Sequence, residues 1–284
     1  MRVRNYLLAG LLLLLPTLVL AEVAVWSGTS EKTELTRQID YWPEKNGRAT
    51  LDQVLTLKNS QWQANGDESI SFGYGDQVYW FRFQITNESA SALSLYLEIA
   101  YPVLDHIEFY LLDNDQRLTQ SYLLGDKQPF GERLIEHRNF LVPVMLPSGE
   151  PQTAYLRVDT TSSMQVPLIL WDRDALFVTE QSLSFFEGLY YGIALVMILY
   201  NLFVFRAVGE RSFLYYVGYI AAMPLFLASL HGLTFQYLWP NATWWNDRAI
   251  IVFLNLTIVF GVAFSLRFLN VFRDAHPVLN RVML

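Results

Sequence analysis

Eighteen consecutive residues without a charge, Gly188 to Phe205, bounded by Glu187 and Arg206, constrain this chain more than any other feature. At about 1.5 Å of rise per residue such a helix nearly crosses a hydrocarbon layer roughly 30 Å thick. Leu183 to Phe186 lengthen it on the N-terminal side. Residues 183–205 are therefore read as the first membrane span. They divide a chain of 284 residues into a strand-rich half and a membrane half.

The halves differ in charge. Residues 22–182 carry 23 acidic and 12 basic side chains, a net of −11, whereas residues 183–284 carry 4 and 6, a net of +2. An acidic surface repels phosphate backbones, and the sequence has no Lys/Arg stripe with interleaved aromatics, so no nucleic-acid partner is expected. A neutral or cationic ligand suits the first half better. The chain has no cysteine, which removes disulfides, thiolate metal sites and a cysteine nucleophile.

Residues 1–21 read as a signal peptide: Arg2 and Arg4, an apolar core from Leu7 to Leu15, and the small-residue end Val19-Leu20-Ala21. Cleavage after Ala21 is expected, with an uncleaved anchor as the alternative, and the residues after Ala21 are exported in both cases. Residues 22–66, the N-terminal part of the exported domain, are less regular, with a short helix expected around 51–57. From Val78 to Thr86 the period is two. Tyr79, Phe81, Phe83 and Ile85 share one face and Trp80, Arg82, Gln84 and Thr86 the other, as a half-buried strand requires. Further strands are expected at 93–99, 107–111, 117–124, 140–146, 153–158 and 166–170, spaced by turn signals such as Asp113-Asn114-Asp115. Pro143 and Pro167 belong at sheet edges or bulges. Seven or so short strands make residues 67–171 an all-β antiparallel sandwich.

Residues 172–182 read as a short polar linker into the membrane, helical at its end. Between Ser212 and Trp245 only His231 is acidic, basic or a histidine. That run is too long for one helix, so a second span is expected over 213–233, followed by an interfacial segment whose Trp239, Trp244 and Trp245 suit the headgroup layer. The third span covers 249–269. An exported N-terminal half puts Arg206, Arg211, Arg267, Arg273 and Arg281 inside and Asp247 and Arg248 outside, in keeping with the positive-inside tendency. Residues 270–284 are then a cytoplasmic segment, and no output domain is read in the chain.

A set of short motifs carries a resemblance. In the first half these are Val78-Tyr-Trp-Phe-Arg-Phe83, Tyr101-Pro-Val-Leu-Asp-His-Ile107, His137-Arg-Asn-Phe140 and Pro167-Leu-Ile-Leu-Trp171. In the second they are Gly188-Leu-Tyr-Tyr-Gly192, Tyr200-Asn201, Arg211-Ser-Phe-Leu-Tyr-Tyr216 and His231-Gly232. In this order the chain resembles, from Leu51 onward, the bacterial seven-transmembrane receptors with diverse intracellular signalling modules, those with the second type of extracellular domain. The resemblance implies a jelly-roll periplasmic domain similar to carbohydrate-binding modules, seven helices, and a cytoplasmic effector such as a histidine kinase or diguanylate cyclase. Three spans are read here, so the effector is a partner not expected within these residues.

Among candidate ligand-binding residues, Trp80 and Arg82 share a strand face, and an aromatic ring beside a guanidinium suits a sugar or a carboxylate. The competing reading is a Trp in a second core layer with Arg82 in a structural ion pair. His137, Arg138 and Asn139 precede a strand, and Tyr101 and Asp105 flank Pro102; together with Trp80 and Arg82 they would form a polar cleft. Asp113-Asn114-Asp115, with Asp105 or Asp126 near, offers oxygens to Ca²⁺, but a hairpin turn explains the triplet more simply, and no metal or cofactor is assigned. In the membrane half Asn201, His231 and Asn255 are candidates for helix coupling, with interhelical hydrogen bonds expected of the two asparagines. Gly188/Gly192, Gly218/Ala222 and Gly261/Ser265 permit close helix approach, within the bundle or in a homodimer. The four histidines show no metal-pair spacing and no catalytic constellation is marked, so no enzyme is expected. The reading is the sensory part of an inner-membrane receptor in contact with lipid and binding a small periplasmic ligand, a carbohydrate by preference. The alternative is a periplasmic protein-interaction or dimerisation module.

Overall fold

The computed structural model describes residues 23–27, 30–45, 47–66 and 69–269; the expected signal peptide and the segment 270–284 lie outside them. In chain order come β1 (Ala24–Trp26), β2 (Lys32–Glu34), β3 (Asp40–Pro43), helix α1 (Leu51–Leu55), β4 (Gln63–Ala64), β5 (Ser71–Gly73), β6 (Tyr79–Asn87), β7 (Leu93–Ile99), β8 (His106–Leu112), β9 (Leu118–Leu124), β10 (Phe140–Leu146), β11 (Pro151–Asp159), β12 (Met164–Gln165) and β13 (Leu168–Trp171). Helices α2 (Arg173–Val208), α3 (Arg211–Leu230), α4 (Leu233–Tyr237) and α5 (Thr243–Phe268) come after them.

The strands form a sandwich. One sheet runs β4-β3-β6-β11-β8-β9, with β1 parallel to β6, and the other runs β10-β7-β13-β2. Phe81, Phe83, Phe109 and Leu156 of the first sheet and Leu95, Leu97, Val142, Val144 and Leu168 of the second are nearly inaccessible and belong to one cluster. Each such side chain contributes roughly 1.5–3 kcal/mol through burial. Pro143 pairs with Tyr96 on β10, an edge strand, where its missing N–H costs no ladder bond.

Two sequence boundaries move. The described strands between residues 23 and 66 pair into the sandwich: Ala24 with Ile85, Trp42 with Trp80, and Thr33 with Leu170. These strands are three or four residues long, too short for a period-two pattern to stand out. The expected linker 172–182 is helical from Arg173, capped by the Asp172 carboxylate, which accepts from the amides of Asp174 (2.9 Å) and Ala175 (3.3 Å). Helix α2 then runs 36 residues to Val208, about 54 Å at 1.5 Å per residue. That exceeds the membrane, so its first turns stand outside it, where Leu176 packs with Leu141 and Trp171 on the outer face of the second sheet.

Helices α2, α3 and α5 are long and apolar enough to cross a membrane. Gly218 of α3 lies so close to Phe260 of α5 that a Cβ there would stand 2.5 Å from the ring, and Gly261 meets Tyr219. These small residues serve packing within the bundle, whereas Gly188 and Gly192 face open space.

Candidate functional site

The aromatic platform expected at Trp80 and Arg82 is not open. Trp80 is completely buried, under a second layer made by Val54, Trp62, Leu112 and Tyr155. Its Nε1 donates to Glu44 Oε2 at 3.1 Å, and the same oxygen accepts from Arg157 Nε at 3.0 Å. Arg82 pairs with Asp40 at 2.6 Å, donates to Asn59 at 3.0 Å and lies 4.6 Å from the centre of the Trp62 ring. The covering residues 49–62 are remote in sequence, so alternation alone shows one buried face where there are two. Asp113 Oδ1 accepts from the amides of Asp115 and Arg117, closing the β8–β9 hairpin.

The other expected residues converge elsewhere, at the junction of sandwich and helices. The connection from β9 to β10, residues 125–139, organises it. It starts at Gly125, with φ at +142°, where a Cβ would stand 2.0 Å from the Asp105 carbonyl oxygen, so only glycine fits. Asp126 Oδ2 then accepts from Asn246 Nδ2 of α5 at 3.3 Å, and Lys127 lies 2.6 Å from Asp247 and 3.5 Å from Asp105. Phe130 donates its amide to the Pro240 carbonyl at 2.8 Å and meets Phe235 of α4 edge to face. The buried Arg133 guanidinium lies 4.7, 4.4 and 5.8 Å from the rings of Phe130, Phe140 and Phe235, and donates from Nη1 to the carbonyls of His137 (2.9 Å) and Arg138 (2.7 Å). Burial lowers its pKa to about 10, against the attraction of Asp126.

At its end the connection grips α2. Arg138 pairs with Glu187, and with Glu180 at 3.4 Å. His137 Nδ1 accepts from the Asn139 amide, so the ring proton sits on Nε2, which lies 3.2 Å from Glu180. Asn139 Nδ2 donates to Glu98 Oε1 at 2.6 Å, and Trp171 Nε1 to Glu98 Oε2 at 2.7 Å. Gly232, in the turn after α3 with φ at +76°, would carry a Cβ 2.9 Å from Pro102. The backbone of the helix bundle thus touches the sandwich through the Tyr101-Pro102 turn.

Among the described residues two clefts open at this junction. The larger, about 750 Å³, is walled by Glu98, Tyr101, Asn139 and Trp171 on the sandwich side and by Glu180, Glu187 and His231 on the helix side. The smaller, about 240 Å³, contains Asp105, Asp126, Lys127 and Asp247; Tyr74, Tyr101 and Leu230 border both. Of the expected ligand residues, Tyr101, Arg138 and Asn139 line the larger cleft, His137 stands behind it on Glu180, and Asp105 lines the smaller. Asp105, Asp126 and Asp247 bring carboxylate oxygens within 4.8 Å of one another, an arrangement that can hold a cation, and the Lys127 ammonium already lies among them. Burial, then repulsion from Asp105 and Asp247, push Asp126 up to about 7, only partly offset by Lys127 and Arg133. Sequence reasoning missed Glu98, Lys127 and Arg133 at this junction and named Asp126 only as a neighbour of the hairpin. The single available signal was Glu98, an acid inside the apolar alternation of β7.

Among the described residues the two candidate asparagines of the spans bond within their own helices, where bonds between helices were expected. Asn201 Nδ2 donates to Met197 O and Asn255 Nδ2 to Ile251 O, each at 2.8 Å and each one turn back in its own helix. His231 caps α3 and lines the larger cleft.

A sandwich seated on the outer ends of membrane helices, with clefts between them, defines a membrane receptor with an extracellular domain. Residues 36–172 match the family model described as 7TMR-DISM extracellular 2, and residues 183–284 match 7TM diverse intracellular signalling. The chain belongs to the seven-transmembrane receptors with diverse intracellular signalling modules. No curated protein matches it. Solved structures similar to part of it include a glycosyl hydrolase family 2 member from Bacteroides cellulosilyticus (10% identity, TM-score 0.32, 50% of this chain and 20% of that one). A family 35 carbohydrate binding module from Clostridium thermocellum is another (7% identity, TM-score 0.24, 50% of this chain and 98% of that one). The chain thus spans a fifth of the hydrolase's length.

Proposed function

We propose that this chain is the sensory part of an inner-membrane receptor whose larger junction cleft binds a small periplasmic ligand, a carbohydrate or sugar derivative. The observation that carries the reading is the composition of the cleft walls: one belongs to the sandwich and the other to α2 and the end of α3. A ligand that touches both walls has an affinity that depends on how the sandwich sits on the helices, and by linkage it biases that arrangement. The chemistry suits a sugar. Tyr101 and Trp171 offer aromatic surface, and Asn139, Gln165 and Glu98 offer directed polar groups. The helices would carry the bias to a cytoplasmic signalling module, with residues 270–284 on that side.

The test uses the 284-residue chain in lipid nanodiscs. Thermal melts against a panel of mono- and disaccharides should show stabilisation by one class, lost in Tyr101→Ala and Asn139→Ala. Because the chain has no cysteine, spin labels at Leu118→Cys and Glu210→Cys report the distance between the sandwich and the far end of the helices. Ligand should change that distance distribution, and a panel without any stabilising sugar would refute the reading. One observation favours the interaction module as a second reading: Leu118 and Leu123 on edge strand β9 and Met145 on edge strand β10 are exposed. Self-association that Leu123→Lys abolishes, with no sugar response, would establish it instead.

A further inference from the structure

Glu98 is 5% exposed, yet among the described residues no cation lies within ion-pairing distance of it. Arg138 is engaged by Glu187 and Glu180, and Lys32, which lies over the Trp171 ring, pairs with Glu34. A carboxylate removed from water without a counter-charge is costly. It is nevertheless held rigidly, one oxygen by Trp171 Nε1 and the other by Asn139 Nδ2, and each oxygen keeps a further acceptor site. Glu98 lines the larger cleft together with Glu180 and Glu187, against Arg138 as the one Arg or Lys of the lining, so the walls carry a net charge of −2 with His231 neutral. An anion would be repelled from such a space. A cation would find a fixed acceptor, and Tyr74 and Tyr101 on the same walls are aromatic rings of the kind that attract an ammonium.

We propose that the ligand of the larger cleft carries a protonated amine, as an amino sugar does, and that Glu98 is the carboxylate that anchors it. This rests on the reading of the cleft as the ligand site. The ammonium supplies the missing counter-charge and donates to Glu98, while the ring hydroxyls are left for Asn139 and Gln165. Binding the amine at Glu98 also loads the acceptor that holds Asn139, the last residue of the β9–β10 connection.

The matched probes are glucosamine, glucose and N-acetylglucosamine: the same ring with a charged amine, a hydroxyl and an uncharged amide. They are titrated by calorimetry into the 284-residue chain in nanodiscs of zwitterionic lipid. Glucosamine should bind about tenfold or more tightly than either neutral sugar, the ratio expected of a hydrogen bond to a charged group. Added salt should shrink that ratio. Glu98→Gln should bring it close to one, whereas Tyr101→Ala should weaken all three sugars together. The wild-type ratio decides the matter even if Glu98→Gln fails to fold. Three sugars binding alike would overturn the amine assignment and leave the cleft as a sugar site; no binding by any of the three would overturn both.

Discussion

The sharpest consequence of the junction concerns pH. Asp126 is 3% exposed between the sandwich and α5, and one of its oxygens, Oδ1, has no hydrogen-bond partner. Burial and the carboxylates of Asp105 and Asp247 raise its pKa from 3.8 to about 7. A carboxyl group that holds its proton more tightly in the docked state favours that state most below pH 3.8. The advantage declines as pH rises and is gone above about 7, where the buried group is ionised. At 1.36 kcal/mol per unit the whole effect is on the order of 4 kcal/mol, and the part between pH 5 and 7 about 2.7 kcal/mol. For a protein of this size that corresponds to roughly 5–10 °C in Tm. Asp126→Asn replaces the group with a neutral isostere that does not titrate. Melts of both proteins in nanodiscs from pH 5 to 8 should show the wild type losing stability relative to Asp126→Asn as pH rises, with the difference levelling off above about 7. Hydrogen exchange of residues 125–139 should track the same curve. Parallel pH profiles for the two, or a wild type that gains on the variant with rising pH, would refute the assignment of a protonated Asp126 at the junction.

Other substitutions probe other parts. Trp80→Ala should destabilise the sandwich by about 3–5 kcal/mol in denaturant unfolding, as for a large buried aromatic, and should leave sugar binding by the remaining folded protein unchanged. Arg138→Gln removes the cation from between Glu180 and Glu187; limited proteolysis of the β9–β10 connection should accelerate while the unfolding midpoint of the sandwich itself moves little. Gly232→Ala forces a side chain into a left-handed backbone against Pro102, costing about 1–3 kcal/mol, and the melt should lose that much cooperativity between sandwich and helices. Gly218→Leu should drive α3 from α5, seen as loss of a disulfide cross-link between cysteines placed at Tyr219 and Gly261.

The parts of the fold that sequence reasoning reaches are those whose signal is local. Strands 93–99 and 140–146 alternate cleanly between turn signals, and their observed bounds agree to the residue. The spans come from length without charge. Trp80 fails for the opposite reason: its face of β6 is covered by α1 and Trp62, and nothing within β6 says whether a polar-looking face is open or roofed. The junction is harder still. Arg138 and Glu187 are 49 positions apart, and Asp126 and Asn246 are 120 apart. Each is an ordinary polar residue in its own segment, and only the fold makes them neighbours. Tyr101, Arg138 and Asn139 are legible because they stand beside Pro102 and the start of β10, where a turn next to a strand end leaves side chains free to face a cleft. The cost of a polar side chain in lipid is what puts Asn201 and Asn255 between helices in the sequence reading. That reading leaves out the carbonyl one turn back, which satisfies an amide within its own helix at no cost in interhelical geometry.

The contacts of residues 125–139 explain how events at the cleft would reach the membrane. This connection meets α5 at Asn246 and Asp247, α4 at Phe235, and α2 at Glu180 and Glu187. It ends at Asn139, bonded to Glu98 inside the larger cleft. Among the described residues the direct polar grips of the connection on α2 pass through His137 and Arg138, adjacent to that bond. A ligand that takes up the lone pairs of Glu98 therefore acts one residue away from the pairs that seat α2. Helix α2 is continuous from the cleft to Val208, so a tilt of its first turns is not absorbed by a flexible linker. Asp126 acts at the other end of the same connection, on α5. Ligand and proton thus bias one element from its two ends, and their effects on its seating should be coupled: Asp126→Asn should alter sugar affinity at pH 8 but not at pH 5, where Asp126 already carries its proton. Equal shifts in affinity at both pH values would separate the two ends and break this account of the junction as a single unit.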